Sequence, residues 1–101
     1  PVVLYDPNNT GQTATQTDLK TILKNAAAGQ AQAQLDLARL YAEGDGVEQS
    51  PVEAYKWFTL AFNQGLEEAL TERSKLIKAH GMGLDDIIAA KKLVRAFKPN
   101  K

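Results

Sequence analysis

Between Ala33 and Gly65 the sequence reads AQLDLARLYAEGDGVEQSPVEAYKWFTLAFNQG, two amphipathic patterns separated by a glycine-punctuated break. In the first half Ala33, Leu37, Leu40 and Tyr41 recur at helical spacing and share one stripe. In the second, Ala54, Trp57, Phe58, Ala61 and Phe62 do the same. Short isolated helices are marginal in water and owe their stability to what their apolar face packs on, so neither half stands alone. The two stripes must cover each other. Gly44 and Gly46 stand where the first pattern stops; glycine takes left-handed backbone angles at no steric cost, so the chain reverses there into a helical hairpin.

The order Ala33, Leu37, Ala38, Leu40, Tyr41, Gly44, Gly46, Val47, Ala54, Trp57, Phe58, Ala61 and Gly65 resembles one complete Sel-one-like repeat, a relative of the tetratricopeptide repeat. The resemblance implies an all-α fold, a short right-handed α/α superhelix (solenoid) that scaffolds protein complexes, usually without catalytic activity. Three positions depart from the family pattern: Ala38 where glycine is usual, Ser50 where aspartate is frequent, and Phe62 where a second alanine is favoured. They leave the hairpin intact and bear on how tightly neighbouring helices approach.

The same period extends outward from this hairpin. Thr15 and Asp18 resemble a capping box, followed by Leu19, Ile22, Leu23, Ala26 and Ala27 on one helical face, which predicts a first helix over 16–28. Gly29 ends it, 36 residues before Gly65, as expected of the second half of an otherwise missing preceding repeat. The second helix covers about 31–43. Ser50-Pro51-Val52-Glu53 starts the third: the serine accepts from exposed amides, proline is preorganised at the first helical position, and the glutamate reaches back to the cap. A fourth helix near 66–79 repeats the first-half pattern weakly through Ala69, Leu76 and Ile77, with Arg73 in the slot of Leu37, as expected where a terminal unit meets water. His80-Gly81-Met82-Gly83 replaces the repeat loop, and Asp85 and Asp86 complement the positive end of a last helix. Leu84, Ile87, Ile88, Leu93, Val94 and Phe97 are expected to form its buried side, and Lys98-Pro99 its stop. The organisation is a lead-in over 1–14, a repeat domain of about five antiparallel helices over 15–98, and a tail at 99–101.

Composition removes several functions. The 101-residue chain has zero formal net charge, so the electrostatic attraction that drives non-specific phosphate binding is missing and nucleic acid is not expected as a partner. Charge is uneven: residues 1–50 carry three basic and six acidic side chains, residues 51–101 nine and six, a polarity able to orient a docking protein. No cysteine is present, which excludes disulfides, thiolate nucleophiles and cysteine zinc sites. No apolar run approaches the roughly 20 residues that span a bilayer. The lead-in has no helical period, and its Asn8-Asn9-Thr10 triplet fits a glycosylation sequon of the kind that arises often by chance. A proline start without methionine fits a trimmed or excised segment, which leaves the compartment as cytoplasmic, or periplasmic or secreted if a signal peptide preceded Pro1.

No residue set matches a catalytic or metal-binding pattern. His80, the one histidine, sits at a predicted helix end where the carbonyl dipole explains it. Glu43, Asp45 and Glu48 lack the twelve-residue spacing of a calcium loop, and Gly44-Asp45-Gly46 follows a helix, with no lysine-serine ending to cradle phosphate. The aromatic residues Tyr41, Tyr55, Trp57, Phe58 and Phe62 fall at core spacing, with Trp57 and Tyr41 bridging the hairpin. Lys91, Lys92, Arg95 and Lys98 read as a solvated face rather than a membrane-lying one. No catalytic, cofactor or metal residue is assigned.

Stacked hairpins curve, and the first helix of each unit lines the inner face. The stripe opposite the core is therefore the expected docking surface for a partner protein or peptide: Gln32, Leu35, Asp36 and Arg39 on the second helix, and, at the 36-residue offset, Glu68, Thr71, Glu72 and Lys75 on the fourth. Leu35 and Arg39 are the expected anchors. The function read from this is a non-enzymatic scaffold or adaptor. Two alternatives come from other classes: a cell-envelope ligand-binding or hydrolase-related domain, which the resemblance admits but the missing cysteines weigh against, and a structural piece of a longer repeat array.

Overall fold

The computed structural model describes residues 19–99, which form five helices and, among the described residues, no strand. They are α1 (Leu19–Ala27), α2 (Ala31–Glu43), α3 (Pro51–Asn63), α4 (Glu68–His80) and α5 (Leu84–Ala96). The lead-in, the Asn8-Asn9-Thr10 triplet, the Thr15 and Asp18 capping pair and the expected residues 16–18 of the first helix lie outside the described residues, as do the last two of the tail.

The helix ends follow from local chemistry. Gly44 closes α2 in the left-handed region at φ 73°, its N–H donating to the Leu40 carbonyl at 2.7 Å. A side chain there would be strained by that angle, and its Cβ would come within 3.0 Å of Gln49 Cβ. Ser50 Oγ accepts from the Glu53 N–H at 3.2 Å and Pro51 opens α3, as its sequence requires. The Glu53 carboxylate pairs with Lys56 at 3.6 Å. At α5 the Gly83 N–H donates to Asp86 at 3.4 Å, which places a carboxylate at the positive helix end.

α3 is the hub. Ala54, Tyr55, Trp57, Phe58, Leu60 and Ala61 are all buried, so the helix is apolar around most of its circumference and needs neighbours on several sides. It finds them in α2, α4 and α5, while α1 packs on α2. The full hairpin α2–α3 thus carries a preceding half and a following pair, an α/α stack. That following pair is degenerate: α4 buries Ala69 and Leu76, α5 only Ala90, and both lean on α3. Met82, in the link between them, is 8% exposed and belongs to the core. Of the family departures, Ala38 is fully buried and Phe62 packs at the core margin.

Two expectations are corrected. Leu84 and Ile88 do not belong to the buried side of α5; they are 72% and 43% exposed, because α3 is the close neighbour of α5 and covers one arc, taken by Ile87, Ala90 and Val94. Arg73 does not simply meet water. It is half-buried, its guanidinium 4.8 Å over the Tyr55 ring with Nη1 donating to Thr59 Oγ1 at 2.9 Å, so it closes the α3–α4 seam where a leucine would. Trp57 has Phe97 as its ring partner, edge-on with centroids 5.4 Å apart, and Lys56 Nζ lies 4.3 Å over the indole. Phe97 and Pro99 thereby reach back across α3, Pro99 close enough that a Cβ on Gly29 would lie 3.3 Å from its own.

Among the described residues one polar residue is buried with the core. Gln34, 1% exposed, donates to the Ala26 carbonyl at 3.1 Å and accepts from Gln64 Nε2 at 2.8 Å, while Gln64 also donates to the Gly29 carbonyl. This amide relay joins the end of α1, the start of α2 and the end of α3, meeting the requirement that buried polar groups be paired.

Candidate partner-binding groove

α2 is covered by α1 on one flank and α3 on another, so its buried arc is wide: Ala33, Gln34, Leu35, Leu37 and Ala38 all lie within it. Leu35 is 0% exposed, and its expected role as a surface anchor is overturned. A stripe drawn from the hairpin contact alone leaves out the second flank, which the preceding helix covers. The residues that α2 turns outward are Gln32, Asp36, Arg39 and Glu43.

Across from them α4 presents Glu68, Thr71, Glu72 and Lys75. Arg39 joins the two helices. Its Nε donates to Glu72 Oε1 at 2.9 Å and Oε2 at 3.0 Å, its Nη2 reaches Oε2, and the Asp36 and Glu68 carboxylates stand at 3.8 and 3.7 Å. Gln32 supports this cluster by donating to Asp36 at 3.2 Å. Hydrogen bonding to Glu72 raises the guanidinium pKa above its ordinary value, against a smaller opposing effect of burial, so the charge is held. Thr71 is exposed and takes no part in the cluster.

Beside the cluster a groove of about 410 Å³ opens between α2 and α4. Phe58 and Leu76, 2% and 4% exposed, form its floor with Ala42 and Ala79; Arg39, Glu72, Lys75, Glu43 and His80 form its rim. The structure therefore brings Asp36, Arg39, Glu68, Glu72 and Lys75 to one face, with Gln32 at its margin. The floor was missed in the sequence. Phe58 read as hairpin core, and the signal for Ala79 was the same 36-residue offset carried one step further, from Glu43.

Among the described residues no group of three or more His, Cys, Asp or Glu side chains is placed to hold a metal ion, and no described helix is long and apolar enough to cross a membrane. What the groove offers chemically is a shallow apolar seat with fixed charges around it, suited to one large side chain and its neighbours.

Antiparallel helices stacked as overlapping pairs, with an open face between the first helices of successive units, define an α/α repeat protein. Residues 31–66, from the start of α2 through the link after α3, match the Sel1 repeat, and the protein carries a Sel1 repeat within its all-helical fold. Repeats of this family are generally protein–protein interaction modules and typically non-catalytic. Comparison with curated proteins finds no match.

Proposed function

We propose that this chain is a non-enzymatic interaction module that holds a peptide or helix of a partner protein along the face between α2 and α4. The observation that carries the reading is the groove itself: an open recess with Ala42 and Ala79 at its surface and the buried Phe58 and Leu76 beneath, beside the Arg39 cluster. A partner places an apolar side chain in that recess and satisfies the charges along the rim, the usual division between affinity and orientation at protein interfaces. The test is selection of displayed peptides on the intact 101-residue chain, with binders mapped by amide chemical shifts. Binders that perturb Ala42, Leu76 and Ala79 and weaken more than tenfold on Ala79→Trp, roughly 1.4 kcal/mol or more, support the reading. Binders indifferent to that substitution, or none, refute it.

A further inference from the structure

Two separate parts of the surface complement each other. On α5, Leu84, Ile88, Lys91 and Arg95 are all exposed, and their spacing aligns them on one stripe of the helix. Lys91 and Arg95 enter no ion pair among the described residues. The stripe is thus apolar in its first half and cationic in its second. The groove has the matching order in reverse. Its apolar lining, Leu76 and Ala79 on α4 with Ala42 on α2, lies toward the C-terminal ends of these helices, whereas Asp36, Glu68 and Glu72 lie nearer their N-terminal ends. Those three carboxylates share the one charge of Arg39, so that end of the face is left negative.

The spacings agree as well as the charges. The centre of the Leu84 and Ile88 pair lies about 10 Å along the helix from the centre of Lys91 and Arg95, at 1.5 Å per residue; Leu76 and Ala79 lie about 11 Å from Glu68 and Glu72 by the same measure. The registers coincide when the two helices run antiparallel.

We propose that the chain associates with a second copy of itself head to tail, α5 of one copy lying antiparallel in the α2–α4 groove of the next. Leu84 and Ile88 then cover Leu76 and Ala79, and Lys91 and Arg95 meet Glu68, Glu72 and Asp36. The proposal rests on the groove being a protein-docking face, as argued above, and names its occupant. Donor and acceptor are different surfaces, so the contact is heterologous: each copy in a row keeps one groove and one α5 stripe available, and the row lengthens unless its rotation closes a ring.

Sedimentation velocity on the intact chain over about a hundredfold concentration range is expected to show mass growing beyond one chain, less so as salt is raised and the charged contacts are screened. Leu84→Glu with Ile88→Glu disables the donor, and Ala79→Arg the acceptor; Lys91→Glu with Arg95→Glu is a second donor variant confined to exposed charges. Each variant alone, with wild-type helical circular dichroism and thermal midpoint, is expected to stay monomeric. A mixture of donor-disabled and acceptor-disabled chains is expected to form a one-to-one complex and stop there, since each retains one working surface. A wild-type chain monomeric at every concentration in low salt overturns the proposal, as does self-association that Ala79→Arg leaves intact. If the chain is monomeric yet binds selected peptides at Ala42 and Ala79, self-association falls and the docking function stands.

Discussion

Arg39 on α2 grips both carboxylate oxygens of Glu72 on α4 and stands 3.7 Å from the Glu68 carboxylate, tying together the first helices of the two successive units. Arg39 is 41% exposed and Glu72 27%, so water screens the pair and side-chain ordering offsets part of its gain. A double-mutant cycle with Arg39→Met and Glu72→Gln, read by urea unfolding, should give a coupling below about 1 kcal/mol. Coupling of several kcal/mol would make the pair a keystone of the stack rather than part of a binding face.

Leu35 should behave as core. Its side chain is wholly buried on α2, so Leu35→Ala is expected to cost about 2–5 kcal/mol through lost burial and the cavity left behind. Gln32→Ala, one turn away on the outward face, should fall within about 0.5 kcal/mol. Equal unfolding midpoints for the two variants would contradict this assignment of faces.

The contrast between these positions shows what was legible in the sequence and what was not. Helix boundaries at Gly44 and Ser50 could be read because capping is local: the residues that stop or start a helix sit within a few positions of its end. The outward faces of α2 and α4 were readable from the 36-residue offset, which brought Arg39, Glu68, Glu72 and Lys75 onto one side. Leu35, Leu84 and Ile88 were misread for one reason. Which arc of a helix is covered depends on how many neighbours it has, and that is set by the stack rather than by its own period: α2 has one flank more than the hairpin supplies, α5 has fewer. Phe97 was read on the buried side of the last helix, whereas the return of Pro99 onto Gly29 left no periodic trace, since an extended segment after a helix packs by single contacts.

Phe97 closes the far side of α3, and Trp57 reports on it directly because it is the only tryptophan. Phe97→Ala should cost about 2 kcal/mol, combining partial apolar exposure with loss of an edge-on ring pair. It should also shift Trp57 emission to longer wavelength in the folded state, as water reaches the indole. An unchanged emission maximum with an unchanged unfolding midpoint would mean that the C-terminal segment does not rest on α3 in solution.

Tyr41 predicts a pH dependence at the alkaline end. Its phenol is raised above the ordinary value of 10.0, first by burial and then by the Glu53 carboxylate, both of which disfavour the phenolate. In the unfolded chain that restraint is gone, so between the unfolded and folded pKa the unfolded state has already lost a proton that the fold retains. Stability from this group is therefore complete below about pH 10 and declines as pH rises through the folded pKa. Other groups titrate in the same range, so the measurement is a comparison: unfolding free energies of wild type and Tyr41→Phe from pH 8 to about pH 11. The two curves should run parallel up to about pH 10 and then diverge, wild type falling more steeply. Curves that stay parallel throughout would show that Tyr41 ionises in the fold as readily as in the open chain, and that neither its burial nor Glu53 governs it.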